Sequence, residues 1–217
     1  MGEKGGPNAM ALAIHRPRVL RGPALDDPLV APVLGTDRLL LRPYRAEDAV
    51  DWLAIEADEQ VRSGLGWPLR TERQALDHFR ARTHHVALSQ ADDFLALAVE
   101  CDGHVIGDVS LHLRTLAEET RSVEIGWLQR SDRCGHGYAT EAAQAALDLA
   151  FGRLRAVIVV AVIDRTNDPS ARLARRLGFR LAGSTATRAT WLLAREDHPG
   201  PAAGFDSTVI DRRRFPH

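Results

Sequence analysis

A glycine turn between a predicted strand and a predicted helix constrains the fold of this chain more than any other sequence feature. Residues 123–128 form an apolar run that suits a strand, and residues 142–154 have Ala-rich helical spacing. Between them lie Gly135 and Gly137, whose missing Cβ lets the backbone approach a ligand closely. A strand, a tight turn and a helix place several N–H groups at a helix N-terminus. There they can bind an anionic group such as a pyrophosphate.

The rest of the chain predicts alternating strands and helices. The Asp102-Gly103 pair suits a hairpin turn between two apolar runs, and Thr71 with Gln74 suits a capping box. Asp168 is expected to cap the last helix, with Pro169 at its first position. Strands are predicted over 39–42, 94–101, 105–113, 123–128, 156–163, 180–186 and 190–195, and helices over 46–57, 71–88, 142–154 and 169–177, with a turn-rich loop over 64–68. The pattern indicates a mixed α/β fold, a central sheet with helices on both faces.

Size and composition favour one globular domain. A chain of 217 residues, 45% apolar and 26% charged, is long enough to bury a sizeable core. The net charge of −1 gives no general attraction to nucleic acid or to an anionic membrane. With no membrane-length apolar stretch, no secretion signal and only two cysteines, we expect a cytoplasmic location and no disulfide framework.

Three segments are predicted along the chain. Residues 1–35 are dense in Gly and Pro, which breaks any helix or strand period, so a flexible N-terminal arm is expected. Residues 36–197 carry the alternating elements and form the predicted domain. Residues 198–217, which contain Pro199-Gly-Pro201, form a C-terminal extension that either covers the substrate cleft or a subunit interface, or remains loose.

A second motif follows the first by about 30 residues in the sequence: Asn167-x-x-Ser170 and then Leu177-Gly-Phe179. Together with the glycine turn and the residues around it, this motif resembles the Gcn5-related N-acetyltransferase (GNAT) superfamily. The chain is most similar to the branch that acetylates ribosomal-protein N-termini and related amines. Residues 36–43 resemble that branch's opening strand, and the similarity runs from residue 36 to about residue 196.

The resemblance implies a mostly antiparallel sheet and direct transfer of an acetyl group from acetyl-CoA to a primary amine in a ternary complex. It implies a cofactor site formed by Trp127, Leu128, Arg133, Cys134, Gly135, His136, Gly137, Tyr138, Ala139 and Asn167. One position departs from the family pattern: Asp132 stands where Gln or Arg is usual. A carboxylate pointing inward would repel a pyrophosphate, so Arg130 and Arg133 are the candidates to supply positive charge.

Two side chains are candidates for the chemistry. Glu124 projects to the strand face opposite Val123, where a carboxylate in a partly buried cleft can accept the amine proton or position the amine. His112 and a water chain are alternative bases. The family branch suggests Ser170 as the donor to the leaving thiolate, although Ser170 could instead only support its helix N-terminus. The backbone N–H near Trp127 is the predicted oxyanion donor, and no metal ion is expected.

The acceptor stays open between a protein N-terminus and a small-molecule amine. We expect no nucleic-acid or membrane partner, and family habit suggests a homodimer. A catalytically silent acyl-CoA-binding module is the main alternative. A DNA-binding helix-turn-helix over 174–188 is a weaker one, because Gly183 and Ser184 do not suit its second helix.

Overall fold

The computed structural model describes residues 22–200. The predicted arm up to residue 21 and the extension from residue 201 lie outside this range. The strands are β1 (Ala24–Val30), β2 (Leu34–Gly35), β3 (Leu40–Arg42), β4 (Ala87–Gln90), β5 (Phe94–Cys101), β6 (His104–Thr115), β7 (Ser122–Gln129), β8 (Ile158–Asp164), β9 (Arg180–Ser184) and β10 (Arg188–Ala194). The α-helices are α1 (Ala49–Ala57), α2 (Glu59–Leu65), α3 (Glu72–Thr83), α4 (Tyr138–Gly152) and α5 (Asp168–Arg176).

Eight strands form one sheet in the order β2-β3-β5-β6-β7-β8-β10-β9, and β1 pairs separately with β4. Every neighbouring pair in the large sheet is antiparallel except β7 and β8, which are parallel. A parallel pair needs a crossover, and the glycine turn with α4 supplies it. The predicted mixed, mostly antiparallel sheet is confirmed.

Helices cover both faces of the sheet, as predicted. On one face α4 packs its alanines and Leu147 over the inward side chains of β6 and β7, among them Leu111 and Val123. On the other face α1 and α3 place Trp52 and Phe79 against β5. Strand alternation sends Glu124 to this second face, because Val123 and Ile125 are buried under α4.

Some predicted local elements are wrong. Residues 24–30 form a strand despite Pro28, because Leu29 pairs with the buried Leu88 of β4. For the same reason α3 ends at Thr83 and does not reach 88. Helix α2 was not predicted: it begins at Glu59, where no helix was expected, and its end overlaps the predicted loop. Asp58 caps it by accepting hydrogen bonds from two of its N–H groups.

The cap of α5 also differs from the prediction. Asn167, not Asp168, accepts a hydrogen bond from the backbone N–H of Ser170 at 3.1 Å. Asp168 is the first residue of the helix and Pro169 follows it. The segment where the second helix of a helix-turn-helix would lie forms β9 over residues 180–184, so that alternative is wrong. No helix between residues 22 and 200 has the length and apolar character needed to cross a membrane.

Candidate active site

The parallel strands β7 and β8 separate in the middle of the sheet. They pair only over Ser122–Glu124 of β7, which lie opposite residues 158–160 of β8. Both strands continue well past this point, to Gln129 and Asp164, without further pairing with each other. The sheet therefore has an opening along one edge of β7.

The backbone of β7 shows which groups face this opening. Arg130 donates its N–H to the carbonyl of Ile106 in β6 at 2.8 Å, on the side away from the opening. Pairing of β6 with β7 is regular from Gln129 to Val123, so successive residues of β7 alternate between the two edges. The N–H of Trp127, an odd number of residues from Arg130, therefore points into the opening. This is where the predicted oxyanion donor has to be.

The glycine turn places a row of N–H groups beside the opening. Gly135 and Gly137 have positive φ values of 87° and 83°, and Gly137 is the N-cap of α4. The N–H groups of residues 135–139 donate to no acceptor within the described part of the chain. A helix N-terminus with free N–H groups and an aligned dipole is an anion-binding site.

Two clefts meet at the opening. The loop-side cleft, of about 670 Å³, is lined by the glycine turn, the start of α4 and one side of α5. The strand-side cleft, of about 350 Å³, lies over β6, β7 and β8 on the other side. Five residues line both clefts: Gly64, Leu65, Trp127, Asn167 and Ser170. A ligand in one cleft can therefore meet a ligand in the other at these residues.

Helix α2 covers this junction and is held in place by a hydrogen bond at each end. At its N-terminal end Asp58 accepts the N–H of Ser131, in the loop after β7, at 2.8 Å. At its C-terminal end the Asn167 side-chain amide donates to the carbonyl of Gly64 at 2.7 Å. Burial acts to raise the pKa of Asp58, but the hydrogen bond from Ser131 and those within α2 outweigh it and hold that pKa below its usual value. Helix α2 thus links the loop that follows β7 to the start of α5, which follows β8.

Trp127 and Ser170 contact each other across the opening. The indole Nε1–H of Trp127 donates to Ser170 Oγ at 3.2 Å, while the ring also packs edge-on against Phe179. An indole N–H is a donor only, so Ser170 must be the acceptor in this bond. The Ser170 hydroxyl hydrogen is left available at the junction of the two clefts. Trp127 therefore orients Ser170 as well as packing the core.

Glu124 lies in the strand-side cleft with Arg114. Arg114 donates from Nε and Nη2 to the same carboxylate oxygen, Oε2, at 3.1 and 2.8 Å. Oε1 has no hydrogen-bond partner among residues 22–200. His112 stands opposite Glu124 in the strand register, with its ring against Phe94 at a centroid distance of 4.2 Å. The two predicted bases are thus neighbours on one face, and a free carboxylate oxygen is available to an amine.

The residues near the unusual Asp132 are arranged differently from the expectation. Asp132 points away from the loop-side cleft and pairs with Arg130 at 2.8 Å. The repulsion that its carboxylate would exert on a bound anion is therefore reduced. Arg130 and Arg133 do not line the loop-side cleft, so their predicted role as replacement cations there lacks support.

Other predicted cofactor residues divide into two groups. Seven line the loop-side cleft: Trp127, Leu128, Cys134, Gly135, Gly137, Ala139 and Asn167. Arg133, His136 and Tyr138 do not, and the rings of His136 and Tyr138 stack on each other. Partial burial, with Asp58 and Asp132 nearby, raises the pKa of the Cys134 thiol, which disfavours a nucleophilic thiolate.

A clamp that the sequence did not reveal holds the start of α4. Glu141 accepts the Thr36 hydroxyl at 2.6 Å and pairs with Arg38, also at 2.6 Å. Arg38 in turn donates to the carbonyl of His136 at 2.8 Å. Burial acts to raise the pKa of Glu141, but its hydrogen bonds with Thr36 and Arg38 outweigh that and lower it. The partners are about 100 residues apart in the chain, so no local signal could identify them.

The fold and the opened strand pair define an acyltransferase type of site, and comparison with known proteins agrees. The acetyltransferase (GNAT) domain family matches residues 38–180. The chain belongs to this family, in which acyl transfer from acetyl-CoA is general. Among residues 22–200 no cluster of three His, Cys, Asp or Glu side chains could hold a metal ion.

Individual relatives are similar over most of the domain. An uncharacterized N-acetyltransferase, p20 of Bacillus licheniformis, is 29% identical over 151 residues, which cover 69% of this chain and 83% of p20. Spermidine N-acetyltransferase from Vibrio cholerae, solved with CoA and spermine, has a TM-score of 0.62 at 16% identity, covering 75% of this chain and 98% of the other. The ribosomal L7/L12 α-N-protein acetyltransferase RimL has a TM-score of 0.63 at 14% identity, covering 76% and 94%. At these identities the two structures support the fold only.

Proposed function

We propose that this protein is an acetyl-CoA-dependent N-acetyltransferase that transfers the acetyl group directly to a primary amine in a ternary complex. The observation that carries this proposal is the opening between β7 and β8, with free N–H groups on one side and a carboxylate on the other. The cofactor would occupy the loop-side cleft and the amine the strand-side cleft. The thioester and the amine then meet at Trp127 and Ser170.

The pyrophosphate of the cofactor would bind the N–H groups of residues 135–139, assisted by the dipole of α4. The pantetheine arm would run along the unpaired edge of β7 beside Leu128, replacing the missing partner strand. Asn167 already bonds to Gly64 of α2 and to Ser170 of α5, so its role is to fix α2 against the start of α5. With Asn167 in a structural role, the backbone is the main ligand of the cofactor.

The chemistry then needs three groups, of which Glu124 lies in the strand-side cleft and Trp127 and Ser170 lie at the junction. Glu124 Oε1 accepts a proton from the bound amine, whose nitrogen attacks the thioester carbon. The Trp127 N–H stabilises the oxyanion of the tetrahedral intermediate. As the carbon–sulfur bond breaks, the Ser170 hydroxyl donates its proton to the thiolate and regains one from solvent, while Glu124 releases the amine proton to solvent.

The acceptor belongs to one of two classes. RimL is an α-N-protein acetyltransferase of ribosomal L7/L12, and the Vibrio cholerae enzyme was solved with the polyamine spermine. We propose that this protein acts on a protein N-terminus or a small amine of this kind, as in the ribosomal-protein branch, in the cytoplasm, as a monomer or a homodimer.

Calorimetric titration with acetyl-CoA tests the cofactor half of the proposal. We expect Gly135→Asp to weaken binding by at least about 100-fold, because it adds a carboxylate and a strained φ to the anion site. Gly103→Asp is the matched control, since Gly103 also has a positive φ, 79°, in an open hairpin turn away from both clefts. Wild-type protein that does not bind acetyl-CoA would refute the proposal.

An acceptor screen tests the other half. Peptides with free N-termini, polyamines and amino-acid amides are each incubated with acetyl-CoA, and thiol release is measured. Turnover with one class assigns the acceptor. Tight acetyl-CoA binding without turnover of any amine would instead support the silent acyl-CoA-binding module.

A further inference from the structure

The loop-side cleft has very little charge of its own. Of its lining residues within 22–200, only Arg172 and Arg176 are charged, and both come from α5. No carboxylate from residues 22–200 lines it. The loop position where the family resemblance predicts Gln or Arg is Asp132, which faces away and pairs with Arg130. Within the described part of the chain, a cation for an anionic ligand in this cleft can therefore come only from α5.

Arg176 reaches the place where the free N–H groups lie. Its Nη1 donates to the hydroxyl of Thr140 at 2.9 Å. Thr140 is the third residue of α4, so the guanidinium lies within about one helical turn of the N-cap Gly137. A guanidinium has five N–H donors, and this neutral hydroxyl uses one of them.

Neither arginine is neutralised by a neighbouring carboxylate. Among the described residues, Arg172 and Arg176 have no Asp or Glu oxygen within ion-pair distance, although most other arginines lining clefts or strands here have one. Tethering by Thr140 fixes the orientation of the Arg176 side chain before a ligand arrives. A fixed, unpaired guanidinium suits bidentate binding of a phosphate.

We propose that Arg176 is the phosphate-binding cation of the loop-side cleft, that it binds the pyrophosphate of the cofactor together with the N–H groups of residues 135–139, and that Arg172 adds to the local positive charge. This assignment replaces the cation lost at position 132. It rests on the proposed use of acetyl-CoA.

Arg175 provides a matched control on the same helix. Its guanidinium lies over the Trp191 ring at 4.9 Å from the centroid, and it does not line the loop-side cleft. Arg175→Gln and Arg176→Gln remove the same charge from adjacent positions of α5. Only the second removes a group that faces the proposed pyrophosphate.

The experiment is a set of calorimetric titrations with CoA, 3′-dephospho-CoA and pantetheine. We expect Arg176→Gln to weaken CoA and 3′-dephospho-CoA equally, by about 10-fold, because both contain the pyrophosphate. The loss should shrink at high salt, and Arg176→Lys should restore part of the affinity. Arg175→Gln should bind CoA like wild type, and pantetheine should not distinguish Arg176→Gln from wild type.

Three results would overturn the assignment. Unchanged CoA affinity in Arg176→Gln would show that Arg176 does not bind the cofactor. An equal loss of CoA affinity in Arg175→Gln would show a nonspecific charge effect. A loss confined to CoA, absent with 3′-dephospho-CoA, would move the contact to the 3′-phosphate. Wild-type protein that binds no CoA refutes the proposed function itself, a different outcome.

A Thr140→Val variant, which keeps Arg176 but frees its side chain, should give a smaller loss of CoA affinity than Arg176→Gln does.

Discussion

The loop-side and strand-side clefts meet at the same five residues but are built from different groups. The loop-side cleft is formed largely by backbone N–H groups, small residues and two unpaired arginines. The strand-side cleft includes two acidic and two basic side chains, and two of these, Glu124 and Arg114, pair with each other. One cleft is therefore ready for an anion, and the other has its charges balanced before any ligand binds.

This difference separates cofactor binding, which we assign to backbone groups, from selection of the amine, which we assign to side chains. Backbone N–H groups bind the same cofactor in many sequences, because they do not depend on side-chain identity. Selecting one amine requires side chains of defined charge and shape, and those sit in the strand-side cleft. Substitutions in the two clefts should therefore affect different constants, cofactor Kd on one side and turnover on the other.

The largest expected effect on turnover is in the strand-side cleft. We expect Glu124→Gln to lower kcat by about 100-fold or more, because it removes the proposed proton acceptor, and to leave the Kd for acetyl-CoA unchanged. Measuring kcat with the best amine from the screen and Kd by calorimetry checks both. Arg114→Gln keeps the Glu124 carboxylate but removes its ion-pair partner, so it should lower kcat less than Glu124→Gln does. A Glu124→Gln enzyme with normal kcat would point to His112 or water as the base.

A smaller effect is expected at the junction. Ser170→Ala should lower kcat by about 10-fold, the value of one hydrogen bond to the leaving thiolate. Trp127→Phe keeps a ring against Phe179 but loses the N–H that orients Ser170, so it should lower kcat less than Ser170→Ala does. Because the two act through one hydroxyl, the double variant should be no worse than Ser170→Ala. Additive losses would contradict the proposed orientation of Ser170 by Trp127.

The smallest expected effect concerns the clamp beside the loop-side cleft. Since the pKa of Glu141 is lowered in the folded protein, its ionised form stabilises the fold above the unfolded pKa of roughly 4.3. That stabilisation is lost as the pH falls through the folded pKa. We expect Glu141→Gln to lower the free energy of unfolding by about 1 kcal/mol at pH 7 and by much less near pH 3.

Urea unfolding at the two pH values measures this difference. Glu118→Gln is the control, because Glu118 pairs with Arg155 only at the exposed surface, at 3.7 Å, and should leave stability unchanged at both pH values. A Glu141→Gln effect that persists undiminished at pH 3 would show that the carboxylate charge is not its source.

Most of the domain could be predicted from sequence where the signal is local. The strand, glycine turn and helix around Gly135, the hairpin at Gly103 and the capping box at Thr71 are all found as predicted. Elements were missed or misplaced where distant residues decide them. Residues 24–30 form a strand because β4 is beside them, and α3 gives way to β4 for the same reason.

The candidate site divides in the same manner. Gly135, Gly137 and Glu124 could be chosen from the sequence, because turn geometry and strand alternation operate over a few residues. The cation could not: the sequence pointed to Arg130 and Arg133 near Asp132, whereas Arg172 and Arg176 line the cleft. Many arginines surround these motifs, and no local pattern tells which of them will face a cleft.

The sequence by itself therefore determined the order of elements from β5 onward, the glycine turn and the face on which Glu124 lies, since hydrophobic period and glycine conformations are local properties. Only the tertiary structure decided that β7 and β8 separate, that α2 closes over the junction, and which charges are paired. These depend on contacts between residues far apart in the chain, such as Asn167 with Gly64 and Trp127 with Ser170. Their formation requires the whole sheet to assemble, so no short segment can specify them.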